Sequence, residues 1–334
     1  WKPLGDFAQY EQPTKYLVKT KNYSDSYKTP VLTAGKTFIL GYTDETIGIY
    51  KASERPVIIF DDFTTANKWV DFDFKAKSSA MKMITSKDES IILSKYIYYW
   101  LNTVPCGLIE GDHKRQWISN YSNKLIPIPS IEVQREIVRI LDSFTELTAE
   151  LTAELTARKQ QYSYYREELF SFDENEIEHL PMGDENVGDF IRGKRFVRTD
   201  MISTGIPCIH YGEMYTHYGT WADEAKSFVS KELVERKKLR MATNGDVVIV
   251  AAGETIEDIG QGTAWLGDEG AVIHDACFYY KSDLNPKYVA YFTRTRQFHD
   301  QIKKHIRTGK VSAINAKGLG KALIPIPSLD EQAR

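Results

Sequence analysis

The chain has 334 residues, and its 43 Lys+Arg against 46 Asp+Glu leave a net charge of −3; that length suits about two domains, and the charge lacks the basic excess usual in nucleic-acid binders. With 42% hydrophobic and 27% charged residues, it is too polar for a membrane protein and too apolar for a disordered one. Cys106, Cys208 and Cys277 stand far apart in no CxxC spacing, and the start Trp1-Lys2-Pro3-Leu4 has no signal-peptide pattern, which fits a reducing cytoplasm without disulfides, zinc or membrane.

In chain order, the short apolar runs Val57–Phe60 and Met81–Ile84 predict strands, and Ser94–Thr103 carries helical spacing. After the capping residue Ser130, no Gly or Pro occurs from Ile131 to about Phe172. Val133, Ile137, Ile140, Leu141, Phe144, Leu147, Leu151, Leu155, Tyr162, Tyr165 and Leu169 recur there at three- and four-residue steps, which predicts one amphipathic helix about 60 Å long. Val247–Val250 and Cys277–Tyr280 predict further strands, and Pro286–Ile306 a further helix opened by its proline. Leu329–Gln332 begins a second helix of the first one's kind, and the two are expected to pack as an antiparallel coiled coil. The fold class is α+β, two mixed modules with irregular sheets joined by the long helix.

The strongest signal is internal repetition. Leu125-Ile-Pro-Ile-Pro-Ser130 recurs unchanged as Leu323-Ile-Pro-Ile-Pro-Ser328. Fainter pairs precede each copy in the same order: Leu4–Phe7 with Val187–Phe190, Pro30–Leu32 with Pro207–Ile209, Val57–Ile59 with Val247–Ile249, and Lys95–Trp100 with Lys287–Phe292. The chain thus divides into a first module at 1–129, a spacer helix at 130–172, a linker at 173–186, a second module at 187–325 and the start of the second helix at 326–334, where the chain cuts it short. Residues 1–129 carry a balance of +3, 130–186 of −9 and 187–328 of +4. The acidity belongs to the connector, so the modules remain open to nucleic acid.

Within the helix Glu146-Leu-Thr148 is followed by Ala149-Glu-Leu-Thr152 and Ala153-Glu-Leu-Thr156. Each four-residue unit adds about 6 Å and about 40° of rotation, a step close to one or two base pairs of DNA. Such a ruler would set the gap between two DNA-reading modules. The proline motif followed by Gln134-Arg135, the Thr-Ala-Glu-Leu repeats ending Arg158-Lys-Gln-Gln-Tyr162, and the second motif followed by Leu329-Asp-Glu-Gln-Ala-Arg334 resemble the specificity (S) subunit of a type I restriction-modification system along essentially the whole chain. The resemblance implies two target recognition domains that each read half of a bipartite site in double-stranded DNA. It implies helices that pair and dock two methyltransferase (modification) subunits, restriction/translocase subunits in the full complex, and a repeat number that sets the unread spacer. It further implies a non-catalytic chain with no cofactor of its own, S-adenosylmethionine, ATP and Mg²⁺ being used by the partners in adenine-N6 methylation and cleavage.

The residues themselves agree that chemistry is absent. Gly188–Lys194 fits the first seven positions of a P-loop, but Arg195 stands where a Mg²⁺-binding hydroxyl is needed. The seven histidines show no metal-ligand spacing, and His210 and His217 read as sheet or surface residues. DNA contacts are expected where cationic and hydrogen-bonding residues cluster in loops. In the first module these are Thr64, Thr65, Asn67, Lys68, Trp69, Lys75, Lys77, Ser78, Ser79, His113, Lys114 and Arg115. In the second they are Arg192, Lys194, Arg195, Arg198, Tyr211, Tyr215, Gln261, Thr263, Arg307, Lys310 and Ser312. Residues 287–321 hold nine Lys/Arg against Asp300 alone, a balance of +8. Ile137, Leu141, Phe144, Leu147, Leu151, Leu155, Tyr162 and Tyr165 are assigned to helix pairing or methyltransferase docking. The rival readings are an assembly adaptor that binds no DNA and the recognition half of a fused restriction enzyme.

Overall fold

A computed structural model describes residues 1–35, 37–105, 115–173 and 175–334. Two compact units, 1–154 and 155–334, share the long helix between them. In the first unit Ala8–Glu11, Met81–Ser86, Val57–Asp61 and Asn67–Val70 form a four-stranded antiparallel sheet in that order. Ile39–Thr43, Thr29–Leu32 and Lys75–Ala76 form a second, smaller one. The run Val57-Ile-Ile-Phe60 is apolar throughout because both of its faces are covered. Ile58 and Phe60 meet Tyr96, Ile97 and Leu101 of the helix Ser94–Thr103, while Val57 and Ile59 meet Leu32 and Phe74.

The second unit repeats this frame with five strands in each sheet. Its larger sheet runs Asp189–Arg192, Cys277–Lys281, Val247–Val250, Gly262–Trp265 and Trp221–Ala222. Val247 and Ile249 face the helical side, and Val248 and Val250 meet Ile209 and Ile273 of the other sheet. Val57–Ile59 and Val247–Ile249 lie in corresponding central strands, paired with Met81–Ser86 and Cys277–Lys281, but one residue out of step, since Ile58 faces the helical side and Val248 the other sheet. Pro30–Leu32 matches Pro207–Ile209, each lying parallel to a short buried strand, Lys75–Ala76 or Ala271–Ile273.

The first faint pair is displaced. Lys2–Pro3 pairs with Leu125–Ile126, as His179–Pro181 pairs with Leu323–Pro325. The counterpart of Pro3-Leu4-Gly5-Asp6 is therefore Pro181-Met182-Gly183-Asp184, and Val187–Phe190 instead leads into a sheet strand. Leu4 and Met182 are both fully buried, with their N–H groups donating to Lys124 O and Ala322 O. Gly183 is required by close approach, since a Cβ there would stand 2.9 Å from Gly320 Cα.

Each proline motif is held by the same two side chains. Tyr96 Oη donates to Pro127 O at 3.1 Å, and Tyr288 Oη donates to Pro325 O at 2.9 Å. Four residues past each motif's serine a buried glutamine turns back. Gln134 accepts from Leu93 N at 3.0 Å and donates to Ile91 O and Pro129 O; Gln332 accepts from Asn285 N at 2.8 Å and donates to Pro327 O at 2.8 Å. The repeat is thus a joint between module and helix, built from groups whose burial would otherwise leave polar atoms unpaired.

The long helix covers Ile131–Leu169 in 39 residues. It ends before Phe172 because Phe170 turns into the second core, its ring 5.0 Å from Tyr288 and 5.7 Å from Phe292. The helix expected over Pro286–Ile306 is two, Pro286–Phe292 and Arg296–Lys303. Thr293 and Thr295 hydroxyls donate to Ala290 O and Phe292 O, and Thr295 caps the second helix by accepting from Phe298 N, the competition with helix that these residues bring. Ser328 caps Leu329–Ala333 by accepting from Glu331 N.

Candidate nucleic-acid interface

In the first unit the hairpin after Val57–Asp61 carries several of the expected contacts. Asp61 Oδ1 accepts from Phe63 N at 2.9 Å and Thr64 N at 3.1 Å, and Thr65 takes a left-handed φ of +62°, an uncommon state for a β-branched residue. Thr64 and Lys68 are exposed, and Asn67 accepts from Asn102 Nδ2 at 3.2 Å. Trp69 turns inward, 6.1 Å from the Tyr98 ring with Lys95 Nζ 5.4 Å above it, so it belongs to the helix–sheet packing. Lys77 donates to Tyr23 Oη at 3.1 Å, and Ser78 and Ser79 are exposed. Lys75 is a correction: it is 1% exposed, paired with Glu45 at 2.8 Å and donating to Ile47 O at 2.6 Å. Thr65 too is buried. Arg115 is exposed; His113 and Lys114 lie outside the described residues.

In the second unit a cleft of about 1060 Å³ brings Arg195, Arg198 and Tyr211 together with His210, expected as a sheet or surface residue, and with His274, Asp275 and Lys226, which the sequence does not single out. Parallel pairing builds it. Ile209 lies beside Ile273, so the next residues, His210 and His274, emerge side by side with ring centroids 4.4 Å apart. Phe196 and Tyr211 pack around them. Burial, reinforced by neighbouring His210, pushes His274 down to about 4; burial also holds His210 below its ordinary value, against the opposing pull of Glu213. The signal in the sequence was the pair of short apolar runs each ending in His, Cys208-Ile-His210 and Val272-Ile-His274.

The remaining expected contacts divide. Arg192 is exposed and donates to Asp275 O at 2.9 Å, Lys194 is half-buried, and Gln261 donates to Glu257 O at 3.2 Å. Tyr215 Oη is buried without a partner. Thr263 does not reach the surface: it is 0% exposed in the central sheet, its hydroxyl donating to Gly219 O. Ser312 is also buried, in the short pairing of Ala252–Gly253 with Ser312–Ala313.

The +8 stretch sorts by geometry as well. Arg294 is turned inward, donating to Gly262 O at 3.0 Å and Gly219 O at 2.9 Å. Lys287 stacks over Trp221 at 4.5 Å, and Arg296 meets Asp300 at 3.4 Å. Lys303, Lys304, Arg307, Lys310, Lys317 and Lys321 are exposed and enter no ion pair among the described residues, leaving them available to phosphates.

On the long helix Ile137 and Val138 pack against the first core, and Leu141 is half-buried. Phe144, Leu147 and Leu151 are exposed in the first unit, and Leu155, Tyr162 and Tyr165 in the second. The repeat threonines close their own hydroxyls, Thr148 on Phe144 O and Thr152 on Thr148 O. In the second unit Tyr162, Tyr165, Leu169, Tyr288 and Tyr291 line an apolar groove of about 770 Å³ beside the final residues Glu331–Arg334.

No group of His, Cys, Asp and Glu able to hold a metal occurs among the described residues, and none of their helices is long and apolar enough to cross a membrane. Two modules, each ending in the same helix joint, define a duplicated helix-linked recognition scaffold. Residues 1–158 match the family model described as the type I restriction modification DNA specificity domain. The whole chain is 47% identical to the type I restriction enzyme EcoR124I/EcoR124II specificity subunit of Escherichia coli, of which it covers 84%, and 27% identical to a putative type I specificity subunit of Haemophilus influenzae, of which it covers 85%. Its fold is similar to the S subunit of a type I restriction-modification system from M. genitalium, with a TM-score of 0.61 at 15% identity, covering 99% of this chain and 85% of that one. The chain belongs to the family of type I restriction enzyme specificity subunits.

Proposed function

We propose that this chain reads a bipartite DNA site, one half through each module, and presents the site to methyltransferase subunits docked on its helices. It is a DNA specificity subunit and not the catalytic part of the complex. The observation that carries the finer reading is the duplicated joint: two modules, each tied to a helix by the same Tyr and Gln contacts. We place the modules at 1–129 and 187–325 with the helix at 130–172 between them, the strand His179–Pro181 of the 173–186 linker closing the second joint as Lys2–Pro3 closes the first. Base reading falls to Thr64, Asn67, Lys68 and Arg115 in the first module and to the cleft with Arg195, Arg198 and Tyr211 in the second. The exposed cations Lys303 to Lys321 hold phosphates. Phe144, Leu147, Leu151, Leu155, Tyr162 and Tyr165 are the surface for a paired helix and for two methyltransferase subunits, which supply S-adenosylmethionine chemistry while further subunits use ATP and Mg²⁺.

The test is to map modified adenines in cells carrying the intact system. Replacing residues 187–325 with another family member's module is expected to change one half-site, and deleting Ala149–Thr152 to change the spacer alone. Two altered half-sites after the swap, or an unchanged spacer after the deletion, would overturn the modular reading. The adaptor reading is separated by salt: phosphate contacts make affinity fall steeply as salt rises, whereas an adaptor binds no DNA with its partners present.

A further inference from the structure

The cleft of the second unit holds a hydrogen-bond donor of fixed identity. His210 precedes the short helix Tyr211–Thr216, and its Nδ1 accepts from Gly212 N at 3.3 Å. A backbone N–H can only donate, so Nδ1 is unprotonated and the ring proton sits on Nε2. The backbone of His210 is held as well, its N–H donating to Glu213 Oε2 at 3.1 Å, while Glu213 Oε1 takes the Ser227 hydroxyl. Neighbouring His274 is fixed the same way, its Nδ1 accepting from Ala276 N at 3.0 Å. His210 Nε2 has no hydrogen-bond partner among the described residues, and the ring lines the cleft.

We infer that His210 is a specificity-determining residue, its Nε2–H reading an acceptor on a base edge, guanine O6 or N7, adenine N7 or thymine O4, in the half-site taken by the second module. This rests on the DNA-reading role proposed above. A phosphate is the other acceptor DNA offers, but the setting disfavours it. The Gly212 N–H donated to Nδ1 keeps His210 neutral, and burial against Tyr211 and His274, with ring centroids 4.7 and 4.4 Å away, opposes its protonation; a neutral donor gains less from a phosphate than a charged one. Arg195 and Arg198, exposed beside the same cleft, are the groups suited to the backbone. A held donor flanked by cations is the arrangement in which phosphate contacts set position and one hydrogen bond sets sequence.

The substitutions separate the ring's two nitrogens. Asn places an oxygen near the Nδ1 position, so His210→Asn keeps the cap on Gly212 and removes the donor's reach; His210→Gln keeps an N–H at that reach. In cells carrying the intact system, His210→Asn is expected to make one base pair of the second module's half-site degenerate, with the other half-site unchanged, and His210→Gln to retain the wild-type base there. A half-site of unchanged stringency with His210→Asn, or methylation reduced evenly across all sites, overturns the inference. Should His210→Asn methylate nothing, the purified complexes are titrated with duplexes carrying 7-deazapurine, 6-thioguanine or 4-thiothymine one position at a time. A loss of about fivefold or more at one position for the wild-type chain, absent for His210→Asn, supports it; equal losses for both overturn it. If the wild-type system marks no bipartite site at all, the DNA-reading role itself fails, before His210 is in question.

Discussion

The two modules share a strand frame and differ in what they bury within it. Lys75 lies beside Val31, and its counterpart Val272 lies beside Cys208; in the first module's larger sheet Lys82 pairs across with Phe60. Both lysines are 1% exposed, Lys75 paired with Glu45 at 2.8 Å and Lys82 with Asp62 at 3.5 Å. The second module fills the Lys75 place with Val272, which is 0% exposed. The frame therefore does not require a charge at that place, and the first module should be the one whose stability responds to removal of the Lys75 and Lys82 pairs.

The largest expected effect is at Asp62. Its Oδ1 accepts from Trp117 N at 2.8 Å and its backbone carbonyl from Gln116 N, so it ties the sheet to the helix Gln116–Ser119. Asp62→Ala leaves the buried Lys82 ammonium with only the Tyr10 ring and the neutral Gln12 amide beside it, and losing one partner of a buried pair costs about 3–5 kcal/mol. Combining Asp62→Ala with Lys82→Met removes both charges and is expected to recover part of that loss in denaturant unfolding of the full chain. A single-variant cost under about 1 kcal/mol would show that the pair is replaceable in place, and the contrast between the modules would lose its meaning.

The next effect tests what the modules have in common. Gln134→Leu orphans Leu93 N, Ile91 O and Pro129 O, whereas Gln332→Leu orphans Asn285 N and Pro327 O. At about 1–3 kcal/mol for a buried unsatisfied group, both variants should unfold earlier, the first more than the second. Equal midpoints with the wild-type chain would mean the joint is held by the tyrosine contacts instead.

This joint also marks what the sequence could reveal. Leu-Ile-Pro-Ile-Pro-Ser was visible as a string because its strand, turn and cap are local, and the long helix was visible through its spacing. The glutamines carry no visible role in the sequence, since the module groups they hold, at Ile91, Leu93 and Asn285, lie more than forty residues away. The displaced pairing of Leu4–Phe7 arose because two Gly-Asp strings stand five residues apart, at Gly183 and Gly188, and only the strand partner distinguishes them. Among candidate contacts, Lys75, Trp69, Thr263 and Ser312 were chosen by residue type, and type does not say which face of a strand turns inward. The His210–His274 cleft was missed for the converse reason: parallel neighbours 64 positions apart in sequence create it.

The smallest effect, and the sharpest probe of the contrast, is titration of Glu45. Its burial favours the neutral form, but the Lys75 ammonium and the N–H groups of Thr20 and Lys19 outweigh that and hold the carboxyl at about 2, below its ordinary 4.5. A carboxylate depressed in the folded state contributes stability that is complete above its unfolded pKa and is lost as pH falls through the folded value. The wild-type chain should therefore lose first-module stability between about pH 5 and pH 2, and the gap between wild type and Glu45→Gln should be widest near neutrality and close across that window. Val272, standing where Lys75 does, offers no such partner in the second module. If unfolding resolved two transitions, the Glu45-dependent part of the acid sensitivity should appear in the first module's transition. A gap that stayed constant down to pH 2 would mean that Glu45 holds its neighbours without its charge, and that the Lys75 pair contributes packing alone.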